Sequence, residues 1–210
     1  MRDHIEFFKQ FRERFETTGA ISPSSRFLAA AMSRPLSQAK KPIRVLEVGP
    51  GTGAVTRKIV TLLGPEDRFD LVELNESFAN LLKKRFEEHP DYRRVAAQSE
   101  VHVCPIEEFP LTAPYDFIIS GLPLNNFPCD LVRRIFDVFF RLLAPGGTLS
   151  YFEYMYVRSV KRRISNGAER ERLNELDGIL NENIARHRIR RDWVFANFPP
   201  AWVQHLRAPE

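Results

Sequence analysis

Apolar residues along the 210-residue chain recur in two rhythms. Short runs bounded by glycine, proline or acidic residues alternate with longer stretches in which apolar positions return every three or four residues. Residues 43–48, 69–73, 101–104, 115–120, 147–156, 189–197 and 201–206 read as strands. Residues 53–63, 76–88, 130–143 and 166–185 carry helical spacing; in the first of these Val55, Ile59, Val60 and Leu63 share a face. Residues 95–98 fit a short turn or an early strand equally well. Alternation of this kind predicts an α/β, Rossmann-like fold, with a seven-stranded, mostly parallel sheet covered on both faces. The last two strands, joined across Pro199-Pro200, predict a hairpin that inserts one antiparallel strand. A helical segment over 3–39 precedes the sheet, so the chain divides into an amphipathic extension (1–41) and one domain (42–210).

The chemistry concentrates between the first strand and the first helix of the domain. Glu47-Val48-Gly49-Pro50-Gly51-Thr52-Gly53 empties a buried strand through closely spaced glycines into a helix. Unpaired amides and the positive end of the helix dipole then face a backbone with few side chains in the way, which admits a nucleotide-like ligand. Glu73 ends the next strand, 20 residues beyond Gly53. An acid there is placed to accept both hydroxyls of a ribose. A loop serving only as a tight turn is the bland alternative. The third glycine of a dinucleotide loop is replaced by Ala54-Val55, and no Gly-Lys-Ser/Thr follows for a P-loop.

Glu-x-Gly-x-Gly-x-Gly with a strand-end acid resembles the class I S-adenosylmethionine-dependent methyltransferases, whose sheet ends in such a hairpin. The resemblance implies S-adenosylmethionine as cofactor and S-adenosylhomocysteine as product. It implies that Glu47, Gly49, Pro50, Gly51, Thr52 and Gly53 line the cofactor, with Glu73 and Leu74 at the ribose. Pro105, Ile106 and Glu107 would border the adenine, beside Cys104 where an acid is common, and Ser120 would close the site.

Two further segments narrow the resemblance. Thr18-Gly19-Ala20-Ile21-Ser22-Pro23-Ser24-Ser25 precedes a helix for which Ser24 or Ser25 is a suitable N-cap. Ser120-Gly121-Leu122-Pro123-Leu124-Asn125-Asn126-Phe127-Pro128 follows the fourth strand, where this fold faces the transferable methyl. Together with Asn197-Phe198-Pro199-Pro200-Ala201 they resemble the soluble bacterial phospholipid N-methyltransferases, which act on the amine of phosphatidylethanolamine. An ornithine lipid, which lacks phosphate, is the alternative substrate. Ribosomal RNA adenine dimethyltransferases share this ancestry, but their amide or acid and their stacking ring are replaced by Gly121 and Leu124. A flipped base would lack a holder, so nucleic acid is disfavoured.

That resemblance implies that Ile21, Ser24, Gly121, Leu122, Pro123, Leu124 and Arg158 contact the lipid. A primary amine with a pKa of about 10.4 costs about 4–5 kcal/mol to neutralise at pH 7. Desolvation and a nearby sulfonium both lower that cost. Glu153 is a candidate proton acceptor, and Tyr154 could cradle a cationic product. Strand alternation sends the two side chains to opposite faces, so one of them reaches the site.

Composition changes this picture in one respect. The formal charge of +4 and pI near 9.2 come with arginine and lysine gathered before residue 42, over 158–163 and over 186–191. That suits an anionic surface, a membrane in particular, or simply a solvated face. Phe7, Phe8, Phe11 and Phe15 fall within an arc of roughly 100° on one helix, flanked by Arg12 and Arg14. Such a helix either packs on the domain or lies in a lipid interface, and alternation between the two is expected. Two cysteines and scattered histidines suggest neither a disulfide framework nor a metal site. With no apolar run of roughly 18 residues and no signal-like leader, a cytoplasmic protein peripheral to the inner membrane face is expected, as a monomer or weak oligomer.

Overall fold

The computed structural model describes residues 25–40, 42–158, 163 and 166–210. Seven strands form one sheet: β1 (Arg44–Val48), β2 (Arg68–Val72), β3 (Ser99–His102), β4 (Tyr115–Ser120), β5 (Leu143–Tyr154), β6 (Arg188–Val194) and β7 (Ala201–Arg207). Their order is β3-β2-β1-β4-β5-β7-β6. The first five run parallel, and β7 enters antiparallel between β5 and β6. This is the seven-stranded, mostly parallel sheet expected from the sequence, with its inserted hairpin.

Among the described residues, six helices surround it: α1 (Arg26–Met32), α2 (Thr56–Leu62), α3 (Glu76–Glu88), α4 (Pro90–Arg93), α5 (Cys129–Leu142) and α6 (Gly167–His187). Strand alternation splits the core in two, because neighbouring side chains point to opposite faces. Leu46, Val48 and Ile118 pack with Val132, Ile135, Phe136 and Phe139 of α5 and Leu176 and Leu180 of α6. Val45, Leu71 and Ile119 pack with Leu28 and Met32 of α1, Ile59 and Val60 of α2, and Leu82 of α3. Each interior helix therefore shows an apolar stripe, as its sequence spacing requires.

Several boundaries differ from the sequence reading, each for a local reason. The helix expected from residue 53 begins at Thr56, because Gly53 takes a φ of 75° and its amide closes a turn onto Pro50 O at 2.9 Å. β5 begins at Leu143 rather than 147; its pairing with β4 shifts register across Pro145-Gly146-Gly147 before resuming at Thr148. β6 ends at Val194 rather than 197, since Asn197 turns its side chain to Ser25 N and Pro199 O. Residues 96–98 form a 3₁₀ turn, and β3 follows directly over 99–102. Within the expected 3–39 helical segment, α1 and a 3₁₀ turn (Arg34–Gln38) are separated at Ser33. Ser25 is the N-cap of α1, accepting from Leu28 N at 3.2 Å.

The N-terminal aromatic helix with Phe7, Phe8, Phe11, Arg12, Arg14 and Phe15 lies outside the described residues, as do Ile21 and Ser24. No helix among the described residues is long and apolar enough to cross a membrane.

Candidate active site

The carboxyl ends of β1, β2, β4 and β5 converge where ligands bind in open α/β sheets. From β1 the chain enters the glycine loop, in which Gly49, Gly51 and Gly53 all take positive φ, between 58° and 75°. Side chains are strained in that region, so glycine holds the loop open. Gly49 N returns to Val72 O at 2.9 Å, tying the loop to the end of β2.

Glu73 stands at that junction and is buried. Its Oε2 accepts from Gly51 N at 2.9 Å and its Oε1 from Asn75 N at 2.8 Å. Two backbone amides thus aim a carboxylate across the mouth of the glycine loop, an arrangement that suits a ribose. Leu74 is half-buried beside it. Past β3, Ile106 is buried while Pro105, Glu107 and Cys104 are partly so, on the far side of Glu73. Burial, then Glu108, pushes the Cys104 thiol up, which keeps it a neutral wall residue.

Glu47 is also buried, with Oε2 lacking any hydrogen-bond partner among the described residues. Burial drives its pKa up to about 8; the Thr56 hydroxyl and amide oppose this and the Glu73 charge adds to it. Strand alternation offered the signal for this burial, since Glu47 follows Val45 on the face that packs against α2.

The loop after β4 closes the site from the other side. Gly121 N donates to Val48 O at 2.8 Å, and a Cβ on Gly121 would lie 2.6 Å from Gly49 O. Gly121 therefore has no room for the side chain that holds adenine in the RNA enzymes. Leu122 reaches over the glycine loop; a Cβ on Gly49 would meet its Cδ2 at 2.7 Å. Ser120 is buried and its Oγ accepts from Leu122 N at 3.3 Å. Leu124 is buried as well, while Pro123 is half-buried. The result is an apolar wall on the β4 side of the glycine loop.

Beyond that wall lies a charged network. Register pairs Ser120 with Tyr151, which puts Glu153 two residues past the end of β4, on the same face as Tyr151. Arg158 Nη1 meets Glu153 Oε2 at 2.5 Å, and its Nε meets Asp177 Oδ1 at 2.7 Å. A further bond runs from Arg158 Nη1 to Asn125 Oδ1 at 2.8 Å. Gln204 Nε2 donates to Glu153 Oε1 at 3.1 Å. The Glu153 side chain is 4% exposed and that of Arg158 17%. Arg158, which the resemblance placed against the lipid, spends its guanidinium on protein carboxylates. From α6, Arg172 donates to Phe127 O at 3.0 Å and to Asn125 O at 3.3 Å while pairing Glu169 at 2.8 Å. Arg172 and Asp177 were not singled out by sequence, because only the docking of α6 brings them to the loop, while Asn125 was read there only as part of its segment.

Tyr154 lies on the opposite face from Glu153, edge-on to Phe152 at 5.3 Å, and burial pushes its phenol up. Of the two, Glu153 is the one on the network side of the sheet. The tightest histidine–carboxylate group among the described residues is Asp70, Glu100 and His102, partly exposed. Asp70 already accepts from Tyr115 Oη at 2.8 Å and faces His102 Nε2 at 3.0 Å. Those partners account for it as an ion-pair cluster.

Residues 45–147 match the family described as "Methyltransferase domain". Among curated proteins, the chain is 28% identical over 165 residues to the ornithine lipid N-methyltransferase of Singulisphaera acidiphila, covering 77% of this chain and 85% of that one. It is 25% identical over 124 residues to the ribosomal RNA small subunit methyltransferase A of Marinobacter nauticus, covering 58% of this chain but 39% of the relative. Its fold is like that of the N-methyltransferase NodS from Bradyrhizobium japonicum WM9 in complex with S-adenosyl-L-homocysteine, with a TM-score of 0.63 at 17% identity over 89% of each chain. The buried strand-end acid, the open glycine loop and the domain match lead to one conclusion: the chain is a class I S-adenosylmethionine-dependent methyltransferase.

Proposed function

We propose that the protein methylates the head-group amine of a membrane aminolipid, with an ornithine-type lipid ahead of phosphatidylethanolamine. The observation that carries this reading is the Glu153–Arg158–Asp177 network beside the apolar wall of Leu122 and Leu124. Two carboxylates against one guanidinium leave net negative charge beside the apolar wall, which attracts an ammonium. A phosphate would find Arg158 engaged and two acids nearby. A head group that carries its charge on amine and amide groups meets no such conflict.

The bound cofactor supplies an electrophilic methyl at the end of the cleft. The chain's own residues do the remaining work. Glu73 and the glycine loop would hold the nucleoside, and Leu122 would flank the path by which an amine lone pair enters. The apolar wall disfavours the ammonium form of the entering amine, while Glu153 draws the amine in and accepts its proton. Similarity to the ornithine lipid enzyme supports the same substrate class.

Phosphatidylethanolamine remains the second reading, supported by the likeness of the 18–25, 120–128 and 197–201 segments to the phospholipid enzymes. Competition decides between them. In mixed micelles holding both lipids at equal mole fraction, kcat/KM for the ornithine lipid should exceed that for phosphatidylethanolamine at least tenfold. A preference for phosphatidylethanolamine would reverse the order.

A further inference from the structure

The top of the β6–β7 hairpin carries an aromatic surface that the cofactor site does not use. Phe198 is 86% exposed, Phe195 69%, Tyr156 65% and Trp193 49%. They are not scattered. Trp193 stacks on Phe195 at 5.9 Å and meets Trp202 edge-on at 5.7 Å; Tyr156 meets Trp202 from the other side at 5.8 Å. Tyr156 holds its ring there from a backbone φ of 63°, a region that side chains rarely adopt. Strain of this sort persists where the surroundings fix it and clusters at functional surfaces.

The charge on this surface is specific too. The Arg191 guanidinium lies 4.8 Å over the Trp193 ring and 5.7 Å over that of Trp202. Arg190 is spent on Asp192 at 2.7 Å, on the alternate residues of the strand, so Arg191 is the β6 cation that shares the face of Trp193. Tryptophan and tyrosine concentrate where apolar and polar phases meet, and arginine pairs with lipid phosphate at the same depth. A contiguous exposed apolar patch with a polar rim marks an interaction surface, and here the cation set over the rings is Arg191.

Its position selects the partner. Val194 pairs with Ala201 and Ala201 with Tyr154, so the hairpin sits at the same end of the sheet as Ser120 and Glu73. Trp202 is the register partner of Glu153, so the patch starts where the head-group network ends. We infer that the β6–β7 hairpin is a membrane-docking surface that seats its aromatic rings in the interface of an anionic bilayer and holds the head-group cleft against it. The choice of a bilayer as occupant rests on the aminolipid reading. With this surface seated, a lipid reaches Glu153 without leaving the membrane.

Both tryptophans of the chain, Trp193 and Trp202, belong to the patch, so intrinsic fluorescence reports on it directly. The full-length protein is mixed with vesicles of phosphatidylglycerol and phosphatidylcholine carrying brominated acyl chains. Quenching and a blue shift of the emission are expected, weakening as the phosphatidylglycerol fraction falls. The triple variant Trp193→Ser/Phe195→Ser/Phe198→Ser should bind such vesicles at least tenfold more weakly in sedimentation, and Phe198→Ser alone severalfold. Both should keep S-adenosylhomocysteine affinity and transfer to a short-chain, water-soluble aminolipid, which separates docking from folding. Unquenched tryptophan emission, or undiminished sedimentation of the triple variant, overturns the inference. Wild-type protein that docks but methylates no aminolipid keeps the docking surface and defeats the substrate assignment instead.

Discussion

The amide of Ser25 donates to Oδ1 of Asn197 at 3.0 Å, across 172 positions of sequence. Ser25 caps α1, and the Nδ2 of Asn197 donates to Pro199 O at 2.7 Å. One side chain thus ties the segment before α1 to the β6–β7 turn, which in turn receives Met155 N on Pro200 O. Asn197→Ala removes a buried acceptor and should cost about 1–3 kcal/mol. Thermal unfolding should show a Tm lower by about 3–9 °C, with S-adenosylhomocysteine affinity unchanged in calorimetry.

Arg158 holds two carboxylates at once, so its removal leaves both without their shared cation. Arg158→Leu should destabilise the fold by about 3–5 kcal/mol, measured by urea unfolding. Arg158→Lys keeps the charge but not the fork, and should recover part of that stability. Glu153→Gln should lower turnover on aminolipid vesicles at least tenfold without altering cofactor affinity. Full turnover by that variant would falsify its assignment as proton acceptor.

Glu47 makes stability depend on pH in a direction opposite to that of most carboxylates. Its folded pKa of about 8 lies above the reference value of 4.5. Between those values the unfolded chain has released a proton that the folded chain retains, so stability falls as pH rises through that window and levels off above it. Glu47→Gln removes the dependence. The variant's Tm should exceed that of the wild type by roughly 5–10 °C at pH 8.5, and the gap should close toward pH 5. A gap constant across that range would contradict the assignment.

Gly121 and Gly49 approach so closely that a single methyl decides whether the loops can close. Gly121→Ala would place a carbon 2.6 Å from Gly49 O. Backbone must move to relieve it, at a cost of about 1–3 kcal/mol. S-adenosylhomocysteine should bind at least tenfold more weakly, since the glycine loop shifts with it. Gly121→Asn should be worse and should gain no RNA methylation.

What could be read from sequence follows the range of the interactions. Glu47 to Gly53 and Glu73 were legible because strand, loop and terminal acid lie within 27 residues and their spacing follows from backbone geometry. The opposed faces of Glu153 and Tyr154 followed from strand alternation alone. Arg172 could not be read: it reaches Asn125 across 47 positions, and its helix carries charge on most sides. The start of β5 was missed because Pro145-Gly146-Gly147 reads as a stop, whereas the strand bulges there and continues. The membrane role expected of Phe7, Phe8, Phe11 and Phe15 falls outside the described residues. The exposed rings of Trp193, Phe195 and Phe198 were passed over as ordinary strand and turn residues, since nothing in their spacing shows that they face water.

Where the transferred methyl goes tests the account most directly. Purified full-length protein is incubated with deuteriomethyl-labelled S-adenosylmethionine and vesicles containing ornithine lipid, phosphatidylethanolamine, or neither, with bacterial RNA in parallel, and products are resolved by mass. The account predicts label on the head-group nitrogen of an aminolipid, lost in Glu73→Ala together with cofactor binding. Label in RNA and in neither lipid would contradict it.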